Sequence, residues 1–269
     1  MHRLINLCIT VCLISNLTGC SSPPVIVHLP DNRGLSSETA GQGKWGMSFQ
    51  VTSPKNLELS SNYRSVPVDV LSPAINGDVE LKMQIKLGLT DYWDVGIGPV
   101  FSSRQRNASG VSDTATIALE SIHTQLLLFG ENHTKSKAGN FSVSLALATG
   151  LSRTSFTSSS GVGKFFTDTG FFDRAILAGY RISDDILIYT SLFGVDYNYS
   201  GERDGYSYET FNGTAQASGN SIGIELKDSF MTTTRHFIAM EFYAYQLSSA
   251  LLNTRVNNIN FKLGFYFDQ

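Results

Sequence analysis

The sequence predicts an all-β chain, an antiparallel up-and-down β-barrel of about ten strands (roughly 8–12 would fit) that crosses a membrane. Three observations predict it. From Lys44 onward the apolar residues recur with a period of two rather than the helical 3.6. Most of the alternating runs reach the roughly 9–11 residues that a tilted strand needs to cross a bilayer, against about 5–6 in globular sheets. The connections between the runs alternate between long and short, which separates the two ends of the barrel.

Trp45, Met47, Phe49 and Val51 form the apolar face of a first strand, 44–53. In the second, 78–90, Val79, Leu81, Met83, Ile85, Leu87 and Leu89 alternate with Asp78, Glu80, Lys82, Gln84, Lys86 and Gly88. Trp93, Val95, Ile97 and Phe101 mark the third, 93–103, and a fourth covers 115–129. In the fifth, 140–152, Phe141, Val143, Leu145, Leu147 and Leu151 alternate with Ser, Ala and Gly. Strands at 171–182, 186–199, 217–228 and 235–246 follow, with Arg174 and Glu241 blurring the alternation. The last, 256–267, carries Ile259, Phe261, Leu263, Phe265 and Phe267 on one face.

Long loops 54–77, 104–114, 153–170, 200–216 and 247–255 fall at one end. Asp91-Tyr92, 130–139, 182–185 and 228–234 fall at the other. An even strand number brings both chain ends to the short-turn side, expected to be periplasmic. Pro67 falls in the first long loop, and Pro99 is expected to mark a bulge, because an interior strand has no place for it.

Composition agrees with this reading. Hydrophobic residues make up 42% of the chain and charged residues 16%, against about 25% charged in average soluble proteins. That balance suits strands in which apolar residues alternate with uncharged polar ones. A net charge of −3 leaves no broad basic face for nucleic acid. Beyond the N-terminus, no apolar run approaches the roughly 20 residues of a membrane helix.

Residues 1–19 have the layout of a secretory signal peptide. His2 and Arg3 are followed by an apolar core that ends in Leu17-Thr18-Gly19-Cys20. This ending resembles the lipobox of bacterial lipoproteins. The resemblance implies cleavage between Gly19 and Cys20 and transfer of a diacylglycerol and an acyl chain to the Cys20 thiol. It also implies passage through the lipoprotein-processing machinery, and Ser21 then implies sorting to the outer membrane. Cys8 and Cys12 would leave with the signal, so the mature chain would hold no disulfide. Residues 20–43 contain Ser21-Ser22-Pro23-Pro24 and Gly41-Gln42-Gly43 and read as a lipidated periplasmic linker ahead of a barrel domain, 44–269. The lipid is expected on the periplasmic side, and no other cofactor is expected.

Aromatics at both ends of the strands suggest two belts at the headgroup levels, Trp45, Trp93, Phe141 and Phe267 at one and Phe101, Phe172, Tyr197 and Tyr199 at the other. The strand Asn260–Phe267 resembles the C-terminal signal by which outer-membrane barrels engage their assembly machinery, although Asp268-Gln269 extends past the usual ending. Lys86–Gly98 resembles a strand–turn–strand unit of Gram-negative outer-membrane proteins.

No catalytic motif stands out. The lumen candidates are Glu80, Lys82, Lys86, His123, Glu225, Lys227 and Lys262, and their mixed signs point to a plugged interior rather than a selective pore. The five histidines show no metal-ligand spacing. Ser121 and His123 share a strand face, the one pairing that could serve a hydrolase, and they lack an orienting third residue. Loop 200–216 sets Tyr206, Tyr208 and Phe211 among charges and is the candidate surface for a partner. The leading expectation is an outer-membrane barrel with a structural or interaction role. The alternatives are a narrow channel for ions or small solutes, and a periplasmic lipid-anchored carrier with an apolar interior.

Overall fold

The computed structural model describes residues 25–29, 35–52, 56–59, 65–67, 80–98, 100–108, 111–158, 164–204, 209–228, 234–249 and 252–267. Residues 1–24, with the expected signal peptide, Gly19 and Cys20, lie outside the described residues together with Pro99, as do the side chains of Glu80 and Phe101.

Period-two patterning yields strands throughout. The barrel wall is made of β2 (Trp45–Thr52), β5 (Glu80–Thr90), β6 (Trp93–Ile97), β7 (Val100–Ala108), β8 (Val111–Phe129), β9 (Phe141–Ser158), β10 (Lys164–Arg181), β11 (Ile186–Asp204), β12 (Glu209–Asp228), β13 (Thr234–Ser249) and β14 (Leu252–Phe267). β6 and β7 occupy one position, so the wall is a closed antiparallel barrel of ten strands. Closure runs through β2, which pairs with β14 from Trp45↔Phe267 to Thr52↔Asn260 and with β5 from Trp45↔Leu87 to Thr52↔Glu80. Among the described residues, the closed wall leaves none of its own strands as an open edge.

Three short strands stand apart from the wall: β1 (Val25–His28), β3 (Asn56–Leu59) and β4 (Ser65–Pro67). They form a small antiparallel sheet in the order β1-β3-β4. Pro67 thereby sits on an edge strand, where a missing amide proton costs nothing.

The bulge expected at Pro99 falls outside the described residues; among the described ones, register shifts occur at Gly88/Thr90 and Leu127/Phe129. One expectation needs correction. Most of 104–114, 153–170, 200–216 and 247–255 is strand, not loop. β8 to β12 run to 18–20 residues, whereas β2 has 8 and β5 has 11.

The extra length all lies at one end. We call the end holding Trp45, Phe267 and the turns at 91–92, 130–140 and 182–185 the basal rim, and the other the distal rim. At about 3.3 Å per residue and a tilt of about 40°, strands of this length rise roughly 45 Å, against an apolar band of about 25 Å in spanning barrels.

The alternation changes sense along the strands. Near the basal rim, β12 presents Ile222, Ile224 and Leu226 outward and Ser221 and Glu225 inward. Farther up it presents Thr210, Asn212, Thr214 and Gln216 outward and Ala215 and Ala217 inward. β13 repeats this, with Ile238 and Phe242 outward below and Tyr243, Tyr245 and Leu247 inward above. On β14, Ile259, Phe261 and Leu263 are outward below Asn253, Arg255 and Asn257. At the changeover on the outer face, Arg174 pairs with Asp196, which also accepts a 3.0 Å hydrogen bond from Gln216 Nε2. The basal half is built like a membrane protein, and the distal half like a water-soluble barrel.

Candidate functional site: a lumen closed by the N-terminal segment

The polar inward residues of the basal half do not face an open pore. The segment Leu35-Ser36-Ser37-Glu38-Thr39-Ala40, expected within a periplasmic linker, is buried throughout, with Ser37, Glu38, Thr39 and Ala40 at 0% exposure. It is polar and short of side-chain bulk, so it fits a narrow tube, and the wall satisfies it group by group.

Gln125 of β8 donates from Nε2 to the Ser36 carbonyl at 2.7 Å and to Ser144 Oγ at 2.9 Å. The Ser37 and Ser142 hydroxyls share a 2.7 Å hydrogen bond. Ser37 also lies on Gly179, where a Cβ would fall 2.0 Å from its Oγ, so only glycine leaves room there. Thr39 donates its hydroxyl to the Asp91 carbonyl at 2.7 Å, and its own carbonyl accepts from His133 N at 2.7 Å. Ala40 N donates to Asp94 Oδ2 at 2.8 Å. The chain then leaves across Gly88, whose absent side chain lets the Gly41 carbonyl approach: a Cβ there would fall 1.9 Å from that oxygen.

Glu38 is the centre of the closure. Arg181, the last residue of β10, meets its carboxylate in a fork, Nη2 to Oε2 at 2.6 Å and Nε to Oε1 at 3.0 Å. Ser136 Oγ donates to Oε1 at 2.5 Å, and Asn140 Nδ2 does so at 3.3 Å. His133 Nδ1 lies 3.7 Å from Glu38 and 3.4 Å from Glu225 Oε1, and Arg181 Nη2 is 3.8 Å from Glu225. Lys227 Nζ donates to the His133 carbonyl at 2.6 Å. Charges of both signs therefore meet in a dry cluster at the basal rim. Such a cluster persists because a bidentate Arg–carboxylate pair with its remaining lone pairs satisfied can offset desolvation.

Above it the interior turns apolar. Val27, Leu29 and Leu35 pack into one cluster with Phe165, Phe171, Ala175, Phe193, Tyr197, Tyr243, Tyr245 and Leu247 of the wall.

The sequence-predicted residues distribute as follows. Lys82, His123, Glu225 and Lys262 are buried inside, and Lys86 and Lys227 are largely so. Lys86 lies 3.5 Å from Asp94, and Lys262 approaches Gln84 Oε1 at 3.4 Å and lies over the Phe237 ring. Glu225 and Lys227 join the basal cluster, while Lys82 and Lys86 project from β5 and Lys262 from β14. Trp45 stacks on Phe267 with centroids 4.1 Å apart, and Trp93, Phe141 and Phe172 point outward. Tyr197 does not belong to a belt: it is 2% exposed in the inner cluster, because it shares the inward face of β11 with Phe193 and Val195. Loop 200–216 is mostly the β11–β12 hairpin, with Phe211 packed on the inner cluster and 205–208 outside the described residues.

Ser121 donates its hydroxyl to the Gly98 carbonyl at 3.0 Å, while His123 packs against Gly96, so the two do not share a proton as a nucleophile and base would. Among the described residues no group of three or more His, Cys, Asp or Glu could hold a metal ion.

Sequence reasoning missed Glu38, Arg181, His133 and the whole buried segment. Arg181 had a signal, as a charge that ends the uncharged run 175–180. Glu38, inside Ser-Ser-Glu-Thr-Ala, had none that separates it from a solvated linker.

The chain matches no protein-family model and no curated protein. Solved structures similar to it are bacterial barrels. The translocator domain of the autotransporter NalP from Neisseria meningitidis aligns with a TM-score of 0.48 at 8% identity, covering 85% of this chain and 89% of that one. The β domain of the Bordetella autotransporter BrkA aligns at 0.47 and 7%, covering 84% and 99%. The outer-membrane protease OmpT from Escherichia coli aligns at 0.41 and 12%, covering 84% and 93%.

Proposed function

We propose that this protein is an outer-membrane β-barrel lipoprotein, anchored through Cys20 and closed by its own N-terminal segment, with a structural or surface-interaction role. The outward apolar band of the basal half supports the membrane location, and the single extended end supports a distal rim facing the exterior, with the basal turns in the periplasm. The observation that carries the closed reading is the Glu38–Arg181 pair at 0% exposure, with residues 35–40 filling the lumen around it. A freely diffusing solute would have to displace that segment. A carrier with an apolar interior and a polar exterior matches the distal half alone, and Leu145, Ile222 and Leu263 on the outer face below argue against it for the whole chain.

Planar bilayers test the reading. Purified wild type is expected to be electrically silent, and steady ion-selective currents from it would replace closure with conduction. A second reading is a narrow channel that conducts once the segment withdraws. Gln50, Asn260 and both ring nitrogens of His123 favour it, since they are buried in the lumen wall without hydrogen-bond partners. Currents that appear only after deletion of residues 35–40 would support that second reading.

A further inference from the structure

The outer face of the wall is interrupted where its apolar band ends. Rising along β10 from the basal side, the outward residues are Tyr180, Ala178, Ile176 and then Arg174, the first outward charge on that strand, with Phe172 beyond it. Ile176 stands between Leu145 of β9 and Leu192 of β11, and Arg174 stands between Leu147 and Gly194. Gly194 has no side chain to fill its place in this row. An open groove of about 470 Å³ is left, walled by Leu145, Leu147, Ile176 and Leu192. That volume falls within the roughly 300–1,000 Å³ of small-molecule sites.

The head of the groove is cationic. A Cβ built on Gly194 would sit 3.5 Å from Arg174 Nε and 3.6 Å from Nη2, so the guanidinium lies over the glycine. Arg174 Nη1 donates to Asp196 Oδ2, and Asp196 Oδ1 accepts from Gln216 Nε2 at 3.0 Å. Both oxygens of the one carboxylate at this place are thus engaged, and they fix the guanidinium. The bond to Asp196 uses one of the five guanidinium N–H donors. Among the described residues, no acceptor meets the other four, although the side chain is only half exposed.

We propose that this groove binds one membrane lipid, with an acyl chain along Leu145, Leu147, Ile176 and Leu192 and the lipid phosphate on the Arg174 guanidinium. Water cannot satisfy the apolar walls, and bare hydrocarbon would leave the donors unmet at a place where unmet donors are costly. A phosphate-bearing lipid supplies both parts. The planar fork of an arginine matches two phosphate oxygens at once, and Phe172 beside it suits the headgroup level. Asp196 and Gln216 act as positioning residues. This lipid site presupposes a basal half that lies in a membrane; it does not depend on whether the lumen conducts.

Native mass spectrometry of the full chain in detergent tests the site. The protein is offered phosphatidylglycerol or diacylglycerol with the same acyl chains, so that only the phosphate headgroup differs. Wild type should retain phosphatidylglycerol several-fold more than diacylglycerol. Arg174→Gln should erase that preference, and Gly194→Leu, which fills the groove, should lower retention of both. Position 194 tolerates the added atoms, because its Cβ meets the guanidinium only at ordinary contact distance. Equal retention of the two lipids by wild type overturns the site, as does an Arg174→Gln profile identical to wild type. Insertion of wild type into phosphatidylcholine vesicles is measured alongside. Failure to insert would overturn the membrane reading together with the site, whereas insertion without lipid preference would overturn the site alone.

Discussion

The basal and distal halves of this barrel solve opposite solvent problems with one set of strands. Below, β9 shows Phe141, Val143, Leu145 and Leu147 to the outside and hides Ser142 and Ser144. Above, β11 shows Asp196, Asn198, Ser200 and Glu202 to the outside and hides Val195 and Tyr197. The hydrogen-bonded ladder runs through the change without interruption, from Ile186↔Leu226 to Arg203↔Glu209. Backbone pairing is therefore indifferent to which face is wet; side chains alone decide. The interiors differ accordingly. An apolar inner cluster stabilises the distal half by burial, whereas the basal interior depends on paired charges and on hydrogen bonds to the N-terminal segment.

The sharpest way to break the basal half is to remove one charge from its cluster. Arg181→Leu leaves Glu38 and Glu225 facing each other without the guanidinium that separates them. Loss of one partner of a buried pair typically costs about 3–5 kcal/mol, so thermal unfolding in detergent should fall by many degrees. A drop no larger than that of a surface variant would mean that water reaches the cluster and that the lumen is not closed there. Double replacement with Glu38→Leu should recover part of the loss, because an apolar pair leaves no orphan charge.

The next largest effect separates the two outer faces directly. Leu145→Arg places a charge on the basal apolar band and should cost about 2–4 kcal/mol in a bilayer. Thr214→Arg, equally outward on the distal half, should stay within about 0.5 kcal/mol of wild type, as exposed substitutions generally do. Unfolding titrations in liposomes compare the pair. Equal costs at the two positions would remove the boundary now drawn at Arg174 and Asp196.

That boundary also explains what the sequence revealed. Strands were legible wherever outward Leu, Ile and Phe alternated with inward Ser, Gly or Lys, as in 140–152 and 256–267, and the strand number followed. Strand ends were not legible on the distal side. In 209–216 the outward Thr210, Asn212 and Thr214 are polar and the inward Gly213 and Ala215 are small, so little contrast marks a period. Tyr197 was assigned to a belt for the same reason: its strand was expected to end where only its lipid-facing stretch ends. The inward lysines could be read from parity. The closure could not, because a polar segment buried by long-range partners looks like a solvated linker. Glu38 and Arg181 are 143 residues apart, and nothing local to Glu38 announces the meeting.

The smallest effect belongs to the basal turns, where Asp91 ties three elements at the edge of the closure. Its carboxylate accepts hydrogen bonds from Lys135 Nζ at 2.5 Å, Asn132 Nδ2 at 2.9 Å and the Gln42 amide at 3.3 Å. The Lys135 hydrogen bond, then that from Gln42, holds the Asp91 carboxyl below the usual carboxylate range, and the Asp91 partner raises the Lys135 ammonium above its ordinary value. A depressed carboxyl stabilises the fold above its unfolded pKa and loses that contribution as pH falls through the folded one; a raised ammonium loses its contribution as pH rises through its folded pKa. The pair therefore helps between about pH 4 and pH 10 and fades outside that window. Lys135 is well exposed, so solvent screening keeps the gain small. Asp91→Asn should lower the melting temperature slightly at pH 7 and leave it unchanged from wild type at pH 2, and added salt should shrink the pH 7 difference. A difference that persists at pH 2 would assign the role of Asp91 to packing of the turn against Gln42 rather than to its charge.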